Sequence, residues 1–183
     1  MLTVCISKIS TPIGELTAGV SDLGVHLLLF SDAGQICRQK DNLKKFSEIT
    51  FSKSFHKSHE WLSSESEDYF SGKRRDFSIP VQPMGTDFQQ RVWSRLKEIP
   101  FGKTESYEAI TNSLGNPKAI RAVAAANGRN PIAILIPCHR VIGKNGNMTG
   151  YAGGLDRKRF LLNHERRLSG LDNYNKGVQM ELL

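Results

Sequence analysis

Asn130-Pro131-Ile132-Ala133-Ile134-Leu135-Ile136-Pro137-Cys138-His139-Arg140 is the stretch whose reading decides how the functional half of this chain folds. Five apolar residues run between two prolines, and a thiol, an imidazole and a guanidinium follow at once. A short apolar run that stops at Pro reads as a buried core element with an abrupt end. Whatever follows it is held rigidly. A cysteine beside a cation-capable group is the setting in which a thiol becomes a thiolate. Neighbouring side chains of an extended strand point to opposite faces, so contact between Cys138 and His139 needs a turn at Pro137 or a bridging water.

The chain has 183 residues, 39% of them hydrophobic, enough for one domain or two small ones with a real core. No apolar run approaches the roughly 18 residues of a membrane span. The start, residues 1–8, lacks a charged segment ahead of a long apolar core, so no secretory signal is expected. Cys5, Cys37 and Cys138 are too few and too scattered for a disulfide framework, which points to a reducing compartment. Residues 1–85 hold 10 Lys+Arg against 10 Asp+Glu, and residues 86–183 hold 15 against 8. The whole formal charge of +7 therefore lies in the half that carries Cys138. A basic half suggests a polyanionic partner, most often nucleic acid, with solubility as the plainer explanation.

The first half reads as a small α/β unit. Leu2–Ile6, Leu16–Val20 and Gly24–Phe30 are short strand-like runs punctuated by turn residues, which predicts an antiparallel meander. A polar helix follows, with Trp61, Leu62, Tyr69 and Phe70 on one face and Gly72 closing it. Lys73-Arg74-Arg75 reads as a solvated turn, and Phe77–Ile79 with Val81 as a last short strand. Nothing in this half looks catalytic. Gln82–Gly85 reads as a linker.

In the second half, Thr86 and Gln89 form a capping-box pattern ahead of Phe88, Val92, Trp93 and Leu96 at helical spacing. Ser106 caps a second helix ending at Gly115, and Asn116-Pro117 caps a third that runs to Asn127-Gly128. Two short helices around a tight turn form a helix-turn-helix. The third helix carries Lys118 and Arg121, with Arg129 just beyond, while Ala119, Ala122, Ala124, Ala125 and Ala126 leave its surface thin. That favours close approach to a backbone such as that of DNA, although alanines also simply make good helices. Asp156 is expected to cap a final helix with Leu155, Leu161 and Leu162 buried and His164-Glu165 at its end. On residues alone, Glu165 or Asp156 could orient His139 behind the Cys138 nucleophile. Gly150–Gly154 is a glycine-rich loop without phosphate-binding spacing, suited to a flat ligand with Tyr151 as a wall.

Pro137-Cys-His-Arg-Val141, with Asn130-Pro131 before it and Gly150-Tyr151, Gly153-Gly154-Leu155 and His164-Glu165 after it, resembles the O6-alkylguanine-DNA alkyltransferases. Phe101-Gly102 with Tyr107, Gly115-Asn-Pro-Lys118 and Arg121-Ala-Val123 extend the match. It is dense over residues 86–166 and loose before them, where Thr11-Pro-Ile-Gly14 and the Gly24 strand carry it. The resemblance implies an N-terminal α/β structural domain (1–85) with an antiparallel sheet. A mostly helical domain (86–168) with a helix-turn-helix would bind DNA and transfer alkyl groups; the tail (169–183), with Gly170, Gly177 and scattered charges, itself reads as partly disordered. It implies a DNA repair methyltransferase that moves the alkyl group of O6-methylguanine, and of O4-methylthymine, irreversibly to Cys138, once per molecule.

In that scheme His139 takes the cysteine proton through a water and Glu165 holds the imidazole. Asn130 braces the turn, and Tyr107 donates to guanine N3. The base leaves the duplex, Arg121 fills the vacated stack, and the recognition helix enters the minor groove. The carbonyls of Cys138 and Val141 accept from the guanine amino group, the Ala152 N–H donates to O6, and Tyr151 walls the pocket. Ala152 is often larger in relatives, so the pocket is expected to admit bulkier groups. The implied partner is double-stranded DNA carrying O6-alkylguanine. The protein is expected to be a cytoplasmic monomer (nuclear in a eukaryote), with no membrane and no cofactor. Cys5 and His26 are candidate zinc ligands, but a set of four is missing, so no metal is expected. The competing readings are a non-catalytic lesion-binding protein, which would lack the cysteine, and a thiol hydrolase using Cys138 and His139.

Overall fold

The computed structural model describes residues 1–30 and 32–170. Strands β1 (Leu2–Thr11), β2 (Gly14–Ser21) and β3 (Gly24–Phe30) form two successive hairpins. The sheet is not a pure meander. Helix α1 (Ala33–Lys44), capped by Asp32, returns the chain so that β4 (Ile49–Ser52) lies parallel to β1, giving the order β3-β2-β1-β4. Leu43 is the one buried residue of α1. A helix that buries a single side chain writes almost no apolar periodicity into the sequence, which is why the expectation passed over it.

β3 is buried along its whole length although it is an edge strand. Two later segments of the chain cover that edge, one at the end of the first half and one from the second. Val25 N–H donates to Pro80 O (2.8 Å) and Gln82 N–H to Val25 O (2.7 Å). Further along, Leu28 N–H donates to Pro131 O (2.9 Å) and Ala133 N–H to Leu28 O (2.7 Å). The run 77–81 is therefore not a strand but a single bridge at Val81, because Pro80 has no N–H to extend a ladder. Gly24, at φ +127°, is required here: a Cβ would collide with the Pro80 carbonyl.

Helix α2 (Lys57–Phe70) buries Leu62, Glu65 and Tyr69, whereas Trp61 is 44% exposed at the edge of that face, where its Nε1–H donates to Glu65 Oε1 (3.1 Å). The Lys73–Arg75 turn is not merely solvated: Arg74 pairs with buried Glu65 (3.0 Å), and Arg75 reaches Leu168 O (2.9 Å). Helix α3 (Asp87–Lys97) has the expected capping box and buries Val92, Trp93 and Leu96. A short strand β5 (Glu105–Ser106) leads into α4 (Tyr107–Ser113), capped by Ser106. The third helix is split. Pro117–Ala119 is a 3-10 turn, the Asn116 side chain caps nothing, and α5 spans Ile120–Gly128. Strand β6 (Val141–Ile142) pairs with β5, and α6 (Leu155–Leu168) ends the described chain with Ser169 as its C-cap. Gly154, not Asp156, is the N-cap of α6, and Leu155 is exposed. One apolar cluster runs from Cys5 and Leu16 through Trp93 to Leu161. The tail from residue 171 lies outside the described residues.

Candidate active site

The apolar run 132–136 is buried but is neither strand nor helix. Ile136 N–H donates back to Ile132 O (3.0 Å), and Ile134 sits at φ +71°. A β-branched residue there is strained by about 1–3 kcal/mol, so its surroundings must over-determine it. They do. The chain is tied to β3 on one side, and on the other the Asn130 amide accepts from Ile132 N–H (3.0 Å) and donates to Ile136 O (2.8 Å). The same amide nitrogen lies 3.0 Å from Cys138 Sγ, as a brace that also favours negative charge on sulfur. Cys138–Arg140 then forms a 3-10 turn, in which successive side chains fan out by about 120°. Cys138 and His139 thus diverge, and no direct hydrogen bond is seen between them.

Below the turn lies a charged floor. Glu165 of α6 is 1% exposed and accepts from five donors. These are Tyr69 OH (2.8 Å), His139 Nε2 (2.9 Å), Arg140 Nε (2.8 Å) and Nη2 (2.9 Å), and the Gly102 N–H (3.0 Å). Burial opposes ionisation, but the hydrogen bonds and charges of His139 and Arg140 overcome it and hold this carboxyl well below the usual range. An ionised carboxylate only accepts, so His139 Nε2 carries the proton and Nδ1 keeps its lone pair. Nδ1 is buried and has no hydrogen-bond partner. Burial also lowers the His139 pKa, more than Glu165 raises it, so the ring is neutral. Asp156 is exposed and pairs with Arg159 (3.0 Å), so of the two candidate orienters Glu165 alone reaches His139.

The sulfur is not a ready-made thiolate. Burial pushes the Cys138 thiol up, and the Asn130 amide and the Lys158 ammonium offset that only in part. Lys158 is wholly buried on α6 and donates to Val141 O (2.6 Å) and Thr149 O (2.9 Å), closing the loop around the site.

A cavity of about 490 Å³ opens between α4, α5 and the Gly150–Gly154 loop. Tyr107, Arg121, Asn127, Tyr151 and Ala152 line it. Its volume is in the range of small-molecule sites and is ample for one nucleobase. Lys118, Ala122 and Arg129 lie exposed on or beside α5, outside the cavity wall. Val141 is buried with its carbonyl on Lys158, and Cys138 O already accepts from Val141 N–H and Asn127 Nδ2 (3.4 Å). These two carbonyls are thus less free than expected. Phe30 at the end of β3 packs edge-on against Tyr151 (6.4 Å), and a Cβ at Gly153 would strike both rings. Arg157 ties the loop to the first hairpin through Gly153 O (2.8 Å) and Ile13 O (2.7 Å).

The first half therefore does reach the site, through Tyr69, Phe30 and the β3 edge. No local signal marked Tyr69, whose spacing matches an ordinary core aromatic. Lys158 was readable: it shares the buried stripe of α6 with Leu161 and Glu165, and a charge on such a stripe demands a partner. Among the described residues, no three His, Cys, Asp or Glu side chains are grouped to hold a metal, and no helix is long and apolar enough to cross a membrane.

Neither Cys138 nor His139 lines the cavity, but Asn127 of its wall contacts Cys138 O, so a buried thiol and a neutral imidazole lie behind a base-sized cavity flanked by a helix-turn-helix, the layout of a nucleic-acid-directed thiol protein. Residues 87–167 match the family model described as 6-O-methylguanine DNA methyltransferase, DNA binding domain. The methylated-DNA--protein-cysteine methyltransferase of Methanosarcina acetivorans is 57% identical over 103 residues, 56% of this chain and 66% of that relative. The inducible enzyme of Bacillus subtilis is 54% identical over 101 residues, 55% of this chain and 56% of its own. The aligned part thus spans somewhat less than two thirds of these curated relatives. The crystal structure of Mycobacterium tuberculosis OGT in complex with DNA superposes at a TM-score of 0.75, with 37% identity, covering 91% of this chain and 94% of that one. The chain belongs to the methylated-DNA--protein-cysteine methyltransferase family.

Proposed function

We propose that this protein repairs double-stranded DNA by moving the alkyl group of O6-alkylguanine onto Cys138 Sγ, once per molecule. The observation that carries the reading is the unpartnered Nδ1 of His139, a neutral base whose other nitrogen is pinned by an ionised, five-donor Glu165. The thiol proton passes through a water to Nδ1, and the sulfur attacks the alkyl carbon. The S–C bond forms as the C–O6 bond breaks, and the electron pair stays on the purine. The Tyr107 hydroxyl donates to N3 as that charge develops. The imidazolium proton then returns through solvent to the phenolate, leaving guanine and an S-alkyl thioether. Asn130 supports the sulfur as it charges, and Lys158 adds a buried cation nearby.

The basic residues Lys118, Arg121 and Arg129 follow the DNA around an extruded base, and Arg121, at the cavity edge, fills the gap it leaves. The thin Ala122 face lies in the minor groove, Tyr151 walls the base, and the Ala152 N–H meets O6. Val141 O, shared with Lys158, keeps one lone pair for the guanine amino group. Residues 86–168 form the DNA-binding unit and 1–85 its structural support. The protein works as a cytoplasmic monomer, a placement supported by its three free cysteines. Cys138 itself speaks against a lesion-binding role without chemistry.

Duplex DNA containing O6-methylguanine should add one methyl to the Cys138 peptide, read by mass. Cys138→Ala should abolish transfer and keep DNA binding. More than one methyl moved per protein, or transfer by Cys138→Ala, refutes the mechanism.

A further inference from the structure

Asn127 belongs to no role described so far, yet it touches three parts of the site. It lies near the end of α5, 4% exposed, and lines the cavity. Its Nδ2 lies 3.4 Å from Cys138 O and 3.3 Å from the Tyr107 hydroxyl oxygen. The orientation of this amide is determined by its neighbours. A backbone carbonyl can only accept, so the edge facing Cys138 O must be the NH2 group. The Tyr107 oxygen beside that NH2 therefore accepts from it. A phenol that accepts on this side has its own proton left for the cavity it lines, where a ligand atom can take it. Asn127 Oδ1 is buried without a partner, so the side chain is not held there by a full set of hydrogen bonds.

We propose that Asn127 is a positioning residue: by donating to the Tyr107 oxygen and to Cys138 O together, it turns the Tyr107 O–H toward the bound base and ties α5 to the cysteine turn. The inference rests on the alkyl-transfer reading, in which Tyr107 donates to N3. Asn127 holds the donor in place and exchanges no proton with the substrate. Leucine at this position keeps the volume and removes the donor. Tyr107 is then free to turn its proton to other partners.

The test compares single-turnover methyl transfer from duplexes containing O6-methylguanine and O6-methyl-3-deazaguanine, in which N3 is a C–H. Asn127→Leu should slow transfer from O6-methylguanine about tenfold, the scale of one lost hydrogen bond in the transition state, at unchanged DNA affinity. With the 3-deaza substrate, which cannot accept the proton, the same variant should match the parent protein. Tyr107→Phe should likewise cancel the effect of Asn127→Leu on O6-methylguanine. Equal slowing on both substrates overturns the inference, since a merely structural role would not distinguish them. An unchanged rate on O6-methylguanine overturns it as well. Should Asn127→Leu melt early, Asn127→Asp serves instead. A carboxylate would draw the Tyr107 proton to itself, so its transfer from O6-methylguanine should fall further than that of Asn127→Leu, again with no loss on the 3-deaza substrate; equal loss on both overturns the inference. If the parent protein methylates no cysteine, it is the transfer reading that fails.

Discussion

The floor beneath Cys138 and the mouth above it are built on opposite terms. The floor is charged, dry and saturated: Glu165, Arg140, His139 and Tyr69 are all buried and joined by hydrogen bonds of 2.8 to 2.9 Å. The mouth is open, and Lys118, Arg121 and Arg129 stand exposed around it. A buried ion network stabilises only while every member is present, whereas an exposed cation contributes almost nothing to the fold. Substitutions in the floor should therefore change stability and transfer together, whereas those at the exposed cations of the mouth should leave the fold intact.

Glu165→Gln is the severest way to break that contrast. It leaves Arg140 buried against a neutral amide and should cost about 3–5 kcal/mol in denaturant unfolding, with loss of transfer. A loss below 1 kcal/mol would mean that the floor is not under load. Tyr69→Phe removes one of five donors and should cost about 1–3 kcal/mol while transfer persists, since Arg140 and Gly102 still hold the carboxylate. A complete loss of transfer there would give the first half of the chain a chemical role beyond support.

The pH dependence sharpens the same point. His139 and Glu165 both have lowered values in the fold, so the unfolded chain takes up protons first. Their contribution is complete above about pH 6.5 and declines as pH falls, first for the imidazole and then below about pH 4.3 for the carboxylate. Cys138 is raised, so its contribution is complete below about pH 8.5 and lost as pH rises beyond it. Urea unfolding across pH should show both limbs, and Cys138→Ala should remove the alkaline one. At the mouth, Arg121→Ala should leave stability within about 0.5 kcal/mol and slow transfer from duplex DNA. A larger loss of stability would erase the distinction between the two regions.

How far the sequence could be read follows the same divide. Tyr107, Arg121, Tyr151 and Ala152, expected as pocket residues chiefly from the family resemblance, do line one cavity, because they lie within one dense motif. The helices with apolar stripes, α3 above all, were legible for the same reason. α1, almost without buried residues, and the parallel pairing of β4 left no periodic mark. The choice of Glu165 over Asp156 was open on the residues alone and was decided by which side of α6 faces His139.

By itself, then, the order of residues marked Cys138 and His139 as the candidate nucleophile and base, and laid out the helix-turn-helix and the basic half, because these are local patterns whose chemistry is carried by residue type. Only the tertiary structure decided that burial holds the thiol protonated, that Tyr69 from the first half donates to the carboxylate behind His139, and that Lys158 lies beneath the loop. Those outcomes depend on burial and on contacts between residues as many as 96 positions apart, and desolvation, unlike residue type, exists only once the chain has closed around the group.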